Sequence, residues 1–512
     1  MHATTTTSLM RSTAAVGFLS LLQPMLHGCT AGPKAPPETA PPAADALLGT
    51  QSASVDASRQ PAPRWWEDLH DATLDALIAR AEAGNQTLAA AVANVRAAYA
   101  GVGASEAQLW PAVGVGAQYS RTLTNIAQLA AAGVRVEPYD MYAYGVGMQS
   151  WEIDLWGGVR RQIEAAEADA ASKVDALRDA LVSVRTQVAA VYVQVRTLQA
   201  QRAVLVANRD ALAKSRDLVK ARYDAGTTNL LDVSRAQAAL DGVEAQVPQV
   251  DAGLASAVSQ LAVLCGANPS EIAPLVAAVA PLPESPDVAG IGLPAEILER
   301  RPDVRAAKER LAAATAAIGV AEAARLPTVY VSGQFYIASN TVSGLGDLAN
   351  KAYSIGPSLY LPLLDGGRID SAVRQQRALA EAALAQYRQA MVTAIGDVSA
   401  GVGDFVHARE SRRLADAAME SARSALVLAN QQFDAGVIDF STLLDVQRSA
   451  LDAESSAVEA RAGLVQGFVS LQRALGAGWS GDEPLVAQGE GRGETSVEHD
   501  RAGATGAGEE NR

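Results

Sequence analysis

Apolar residues recur along this chain at two periods, and the changes between them lay out its architecture. Over residues 158–223 the period is that of a coiled-coil seam. Leu177, Val184, Val191, Leu198, Leu205, Leu212 and Val219 step by seven, while Val174, Leu181, Val188 and Val195 fill the alternate positions before Arg202, Arg209 and Arg216 take over. A 3-4 spacing sustained this long predicts a helix packed against a partner helix. Nothing after Gly158 breaks it, so a rod of roughly 65 residues, about 100 Å long at 1.5 Å per residue, is expected. The pattern returns over residues 374–433, with Leu384, Met391, Val398 and Phe405 as knobs and Tyr387, Ala394, Gly401, Ala408, Ala415, Ala422 and Ala429 in the other series.

Both rods end alike, in Arg222-Tyr223-Asp224-Ala225-Gly226 and Gln432-Phe433-Asp434-Ala435-Gly436. A glycine just past the last periodic residue predicts a left-handed helix cap. Behind each, heptads resume: Val233, Leu240, Val247, Leu254 and Leu261, then Leu443, Ala450, Ala457, Leu464 and Leu471. Each glycine is therefore the turn of a long helical hairpin. Pro248 predicts a break in the first return helix, and Val458 at the matching position predicts none in the second.

Ahead of each rod the period falls to two. Val113, Val115, Ala117 and Tyr119 open one predicted strand, and residues 141–153 form a second. At a shift of 216, Gly333-Gln334-Phe335 matches Ala117-Gln118-Tyr119, and residues 353–363 supply the fourth strand. Each second strand leads to paired glycines, Gly157-Gly158 and Gly366-Gly367. Before the strands, Leu74, Leu77, Ile78 and Ala81 share one helical face until Asn85 interrupts it. The ordered chain is thus duplicated. The expected divisions are a first repeat over 64–266, a linker over 267–292 rich in proline, a second repeat over 293–479, and a polar, disordered tail over 480–512.

The N-terminus reads differently. Arg11, an apolar run and then Leu26-His27-Gly28-Cys29 have the layout of a lipoprotein signal. Residues 1–28 would be removed and Cys29 would become an acylated first residue. Thr30 follows it, and no Asp stands there to resemble an inner-membrane retention signal. Residues 29–63, rich in Pro, Ala and Ser, read as a lipidated flexible tether.

Composition narrows the function by exclusion. The 512 residues carry a net charge of −14, which argues against a nucleic-acid partner. The five histidines have no metal-ligand spacing, no phosphate loop is present, and no catalytic constellation appears, so neither a metal, a cofactor nor an enzyme is expected. Cys29 and Cys265 do not form a disulfide framework. Cys265 aligns with Leu475 and reads as a small buried residue.

Four strands cannot close a barrel, and an open sheet edge is not tolerated in lipid. Transmembrane barrels begin at about eight strands. Two chains would reach eight and three would reach twelve, and periodicity alone does not choose.

In its Cys29 lipobox, Trp65-Trp66, Glu299-Arg300-Arg301-Pro302-Asp303-Val304 and both Asp-Ala-Gly hairpin tips, the chain resembles the outer membrane factor family of TolC-like efflux channels, and within it the NodT-type lipoproteins. The resemblance implies a mainly helical fold with a membrane β-barrel: duplicated long αα-hairpins forming an α-helical barrel, and four strands per chain contributing to a trimeric 12-stranded barrel. It also implies a homotrimer held in outer-membrane lipid, with a tunnel into the periplasm that meets a periplasmic adaptor and an inner-membrane pump.

The same resemblance places a periplasmic gate at Asp445, Ser441 and Asp232, and adaptor docking at Gly226, Thr227, Gly436 and Val437. Ser441 stands where relatives often carry a constricting leucine, and Ile438 where some carry a latching arginine. An apolar plug and that latch are therefore in question. For Asp445 the alternative is a first-turn carboxylate favoured by the helix dipole, with Arg448 a candidate partner one turn on. The expected work is small-molecule efflux. The alternatives are the duct of a type I protein secretion system and a lipid-anchored coiled-coil rod without a pore.

Overall fold

The computed structural model describes residues 30–37, 54–123, 137–292 and 294–480. The expected signal segment, Cys29 and residues 481–512 of the tail lie outside them. β1 (Val55–Asp56) precedes the first repeat, which runs through α1 (Ala72–Gly84), α2 (Gln86–Glu106), β2 (Val113–Thr122), β3 (Tyr139–Ile153), α3 (Gly158–Asp224), α4 (Leu230–Glu244) and α5 (Val247–Leu264). Then come α6 (Pro269–Val276), β4 (Ala289–Gly290), α7 (Pro294–Arg300), α8 (Pro302–Ala323), β5 (Thr328–Ser339), β6 (Lys351–Tyr360), α9 (Arg368–Asp434) and α10 (Phe440–Ala474).

Both rods form, and both have 67 residues, the full length of α3 and of α9. α3 ends as its glycine predicts. Gly226 has φ +72°, its N–H donates to the Tyr223 carbonyl at 2.8 Å, and the Thr227 N–H donates to the Arg222 carbonyl at 2.8 Å. Gly436 and Val437 repeat both bonds onto Phe433 and Gln432. These two bonds satisfy carbonyls that a helix end leaves without partners. The return arms differ as expected. The first is interrupted at Ala245–Gln246, with Pro248 at the second position of α5, whereas α10 runs unbroken for 35 residues.

The four long strands form one antiparallel sheet in the order β2-β3-β5-β6, with an irregularity in β3 between Met148 and Trp151. Register places Val115 opposite Val146, Val146 opposite Phe335, and Phe335 opposite Tyr353. One face therefore carries Val113, Val115, Tyr119, Tyr144, Val146, Phe335, Ile355 and Leu359, and the other Gly114, Gly116, Gln118, Gly145, Gln334 and Ser354. That is the alternation of a barrel wall with lipid on one side and water on the other. Among the described residues β2 and β6 each lack a second strand partner.

Midway along α3 the rod is buried on almost all sides by the shorter helices. Leu74, Leu77, Ile78 and Ala81, the face predicted on α1, are all buried. The Asn85 side chain caps α2, accepting from Thr87 N and Leu88 N at 2.9 and 3.1 Å. Trp65 and Trp66 meet edge to face, and Trp65 does the same with Phe468 of α10. Asp71 caps α1 with one carboxylate oxygen and accepts the Tyr192 hydroxyl at 2.6 Å with the other. Burial, then that contact, pushes the Tyr192 phenol up to about 12, so it remains a neutral donor. Cys265 is buried and free, as its match to Leu475 predicted.

Two expectations differ from what is observed, those for the tether and for Val191, and the linker gains detail. The tether is seated at both described ends. The Ala31 N–H donates to the Trp156 carbonyl at 3.0 Å, the Ala31 carbonyl accepts from Arg161 Nε at 3.1 Å, and β1 pairs in parallel with β4. The linker is structured, because Arg196 and Gln199 of α3 bind the carbonyls of Ala278 and Val276 at 2.6 and 2.7 Å. Val191 is only half-buried, and Val188, Tyr192 and Val195 form the mid-rod core instead. The same series is buried on either side, at Leu177, Val184, Leu205, Leu212 and Val219, so the departure is local to the mid-rod, where several shorter helices and not one partner helix cover α3.

Candidate functional site at the hairpin tips

The two hairpins close on one another near their turns. Leu205, Leu212 and Val219 of α3 pack with Leu240 and Val243 of α4 and with Phe433, Phe440, Leu443 and Leu444 of the second hairpin. Phe433 and Phe440 lie with ring centroids 5.9 Å apart. The arginines that interrupt the seam serve the first hairpin: Arg202 pairs with Asp251 at 2.6 Å, and Arg216 donates to Gln237 at 3.3 Å.

A contact the sequence reading missed joins the hairpins at their ends. The Arg222 guanidinium stands 4.3 Å from the centroid of the Phe433 ring, and both of its terminal nitrogens donate to the Phe433 carbonyl at 3.4 Å. Higher up, Gln447 Nε2 donates to Ser215 Oγ at 3.0 Å across the same boundary. Only Arg222's place in a matching end motif, where the second repeat has Gln432, marked it in the sequence.

The expected gate residues divide. Asp232 is half-buried, accepts the Thr228 hydroxyl at 2.7 Å, and lies 3.9 Å from Arg235. Asp445 is exposed on α10, on the side away from buried Leu443 and Leu444. Among the described residues it has no cationic partner, so the expected Arg448 pair is not made. Ser441 is half-buried in the first turn of α10. That turn is capped by Asp439, whose carboxylate accepts the Thr442 hydroxyl and N–H at 2.6 and 2.8 Å; these bonds hold its pKa below the usual value. Gly226, Thr227, Gly436 and Val437 all lie exposed at the turns, Val437 at 71%. With exposed Tyr223, Leu230 and Leu231 they give the tips an apolar surface open to a partner.

The Arg301-Pro302-Asp303 motif is distant from the tips and structural. Arg301 grips Asp303 through two bonds at 3.0 and 2.7 Å and donates to the Ala474 carbonyl at 2.8 Å, satisfying the end of α10.

An amphipathic sheet with open edges, continuous with helical hairpins far longer than a compact domain needs, defines a subunit of an outer-membrane channel. The chain belongs to the outer membrane efflux protein family, which it matches over residues 77–267 and 293–477. It is 28% identical over 464 residues to the antibiotic efflux pump outer membrane protein ArpC of Pseudomonas putida, covering 89% of this chain and 94% of that one. It is 28% identical over 387 residues to nodulation protein T of Rhizobium leguminosarum bv. trifolii, covering 74% and 79%. Among solved structures, the outer-membrane channel OprN superposes with a TM-score of 0.81 at 33% identity, over 88% of this chain and all of that one. The fold class is that of the trimeric channels, and the chain is an outer-membrane efflux component, a duct and not an enzyme.

Proposed function

We propose that three copies of this chain form a lipid-anchored outer-membrane duct for small molecules, gated at the hairpin tips. The observation that carries this reading is the four-stranded sheet, apolar on one face and small or polar on the other, running into two 67-residue rods. The duct works with a periplasmic adaptor and an inner-membrane pump, since the chain has no means of its own to drive transport. The adaptor meets the exposed turns at Gly226, Thr227, Gly436 and Val437. Small molecules are favoured as cargo because relatives such as ArpC are named for antibiotic efflux. Cys29 carries the lipid, as the signal-like sequence before it and the seated Ala31 support. Residues 64–266 and 293–479 act as the two repeat units.

Asp445 forms the gate ring. Three carboxylates near a threefold axis repel one another unless cations intervene, so the ring binds divalent cations and favours cation passage. Without a cationic partner among the described residues, its carboxylate is free for that role. The test is a deletion strain scored against antibiotics, dyes and solvents, with single-channel recording of the purified protein. Increased sensitivity and a cation-selective pore blocked by divalent ions from the tip side are expected. A protein that leaves the membrane when the lipid is removed and conducts nothing would establish a pore-less rod.

A further inference from the structure

The loop between β5 and β6 stands at the end of the sheet remote from the rods, since Ile153 and Tyr360 at the other end lead into α3 and α9. It is folded on itself. Val342–Gly346 and Leu348–Asn350 are two short 3-10 turns. The N–H groups of Gly344, Asp347 and Asn350 donate to the carbonyls of Thr341, Gly344 and Asp347 at 3.1, 3.2 and 3.0 Å. The Ala349 N–H donates to the Asp347 carboxylate at 2.8 Å, and Asn350 Nδ2 to the Gly344 carbonyl at 2.8 Å. Water would satisfy these groups for a loop that stands in solvent. Where water thins out, a loop must satisfy them itself.

The loop also leans to one side of the sheet. Tyr144 and Ile337 oppose each other on the face that carries Val146 and Phe335. The Tyr144 hydroxyl donates to the Leu345 carbonyl at 3.2 Å. A Cβ on Gly344 would collide with Ser339 Oγ, and Ser339 belongs to the same face, opposite Tyr142. Ile337 is 6% exposed, while Val146, Phe335 and Tyr353, one step further from the loop, are all exposed. The loop therefore folds over the apolar face and not across the barrel mouth.

Two large side chains remain uncovered there. Leu345 is half-buried, but Val342 and Leu348 are 64% and 67% exposed. The chemistry around them is that of a membrane boundary. Tyr119 and Tyr142 stack on this face with ring centroids 4.9 Å apart, and Tyr144 lies beside them, the aromatic rim expected where a barrel leaves lipid. Lys351, exposed and opposite Ile337, sets a cation at the same level, with its stem along the apolar face.

We propose that the β5–β6 loop lies in the boundary between headgroups and acyl chains of the outer leaflet, with Val342 and Leu348 inserted among the lipids, and so fixes the depth of the outer rim of the barrel. The inference rests on the outer-membrane duct reading, which gives this face to lipid. It is tested on full-length Cys265→Ala protein carrying Val342→Cys or Leu348→Cys, labelled with nitrobenzoxadiazole. The protein is reconstituted in phosphatidylethanolamine–phosphatidylglycerol vesicles that contain phosphatidylcholine brominated either near the ester end or near the methyl end of its chains. Both labels should lose fluorescence, and more to the ester-end bromines than to the methyl-end ones. A label at Phe335→Cys, on the same face within the sheet, should be quenched more by the methyl-end bromines than the loop labels are. A label at Gln334→Cys, on the opposite face, should not be quenched. Either loop position suffices, so a variant that fails to fold leaves the decision to the other. Loop labels that stay bright while Phe335→Cys is quenched overturn the inference and leave the duct standing; a blue-shifted emission without quenching would then place the loop against a second copy of the chain. If Phe335→Cys is not quenched either, the sheet does not face lipid and the duct reading falls with it.

Discussion

Replacing Arg222 by alanine should loosen the contact between the two hairpin tips of each chain without disturbing the barrel. Arg222 joins the two hairpins of one chain through the Phe433 ring, 4.3 Å from its guanidinium, and through the Phe433 carbonyl. A half-buried cation–π contact is worth about 1 kcal/mol. The two hydrogen bonds, both 3.4 Å long and sharing the Phe433 carbonyl as acceptor, together count as one weak bond of about 0.5 kcal/mol, the low end for a single bond. With three tips opening together the loss is about 4.5 kcal/mol, or roughly a thousandfold in the balance between open and closed. Planar-bilayer recording should therefore show long open dwells in Arg222→Ala where the parent protein is mostly shut. Cells carrying it should admit large antibiotics that the outer membrane normally excludes. Arg222→Lys keeps the charge but loses the planar fork, and should fall between the two. If both variants form normal trimers and gate as the parent does, the clamp does not hold the closed state.

Asp445→Ala should weaken block by divalent cations and shift selectivity away from cations in the same recordings. Unchanged behaviour would return Asp445 to a dipole-favoured surface position. Val188→Asp places an unpaired carboxylate in the mid-rod core, costs several kcal/mol per chain, and should abolish stable protein in membrane extracts. Gly319→Leu would drive a side chain into the Ala31 carbonyl, 2.7 Å from where its Cβ would stand; limited proteolysis should then cut the N-terminal strap while the rods stay protected. The Asp439 cap is pH-dependent. Its folded pKa lies below the ordinary value of 3.8, so its stabilisation is present above that value and lost as pH falls through the folded one. Amide exchange at Thr442 should rise at acid pH in the parent, whereas Asp439→Asn, which caps without titrating, should remove the dependence.

What the sequence disclosed was whatever local periodicity or turn chemistry determines. Gly226 and Gly436 marked both turns because a left-handed cap strongly favours glycine. The strands and the buried face of α1 followed from periods of two and 3.6. The docked Ala31, the α6 linker helix held by Arg196 and Gln199, and the Arg222 clamp were not legible. Each depends on a partner distant along the chain, and each reads locally as an ordinary polar or proline-rich position. Val191 was misplaced for a related reason: its heptad series is buried above and below it, but at mid-rod several shorter helices replace the single partner and bury Val188, Tyr192 and Val195. Asp445 could be located but not assigned, since a carboxylate in the first turns of a helix looks alike whether it faces a pore or water.

The break near Pro248 has a mechanical consequence. A trimer carries six hairpins, three with a jointed return arm and three with the continuous 35-residue arm of α10. Bending stiffness therefore alternates around the ring. A load applied evenly to all six turns is taken up first at the jointed arms, and the stiff ones act as fixed posts against which they swing. Such a ring dilates from round toward three-cornered before it widens uniformly. The first aperture to form would be three slots beside the jointed arms.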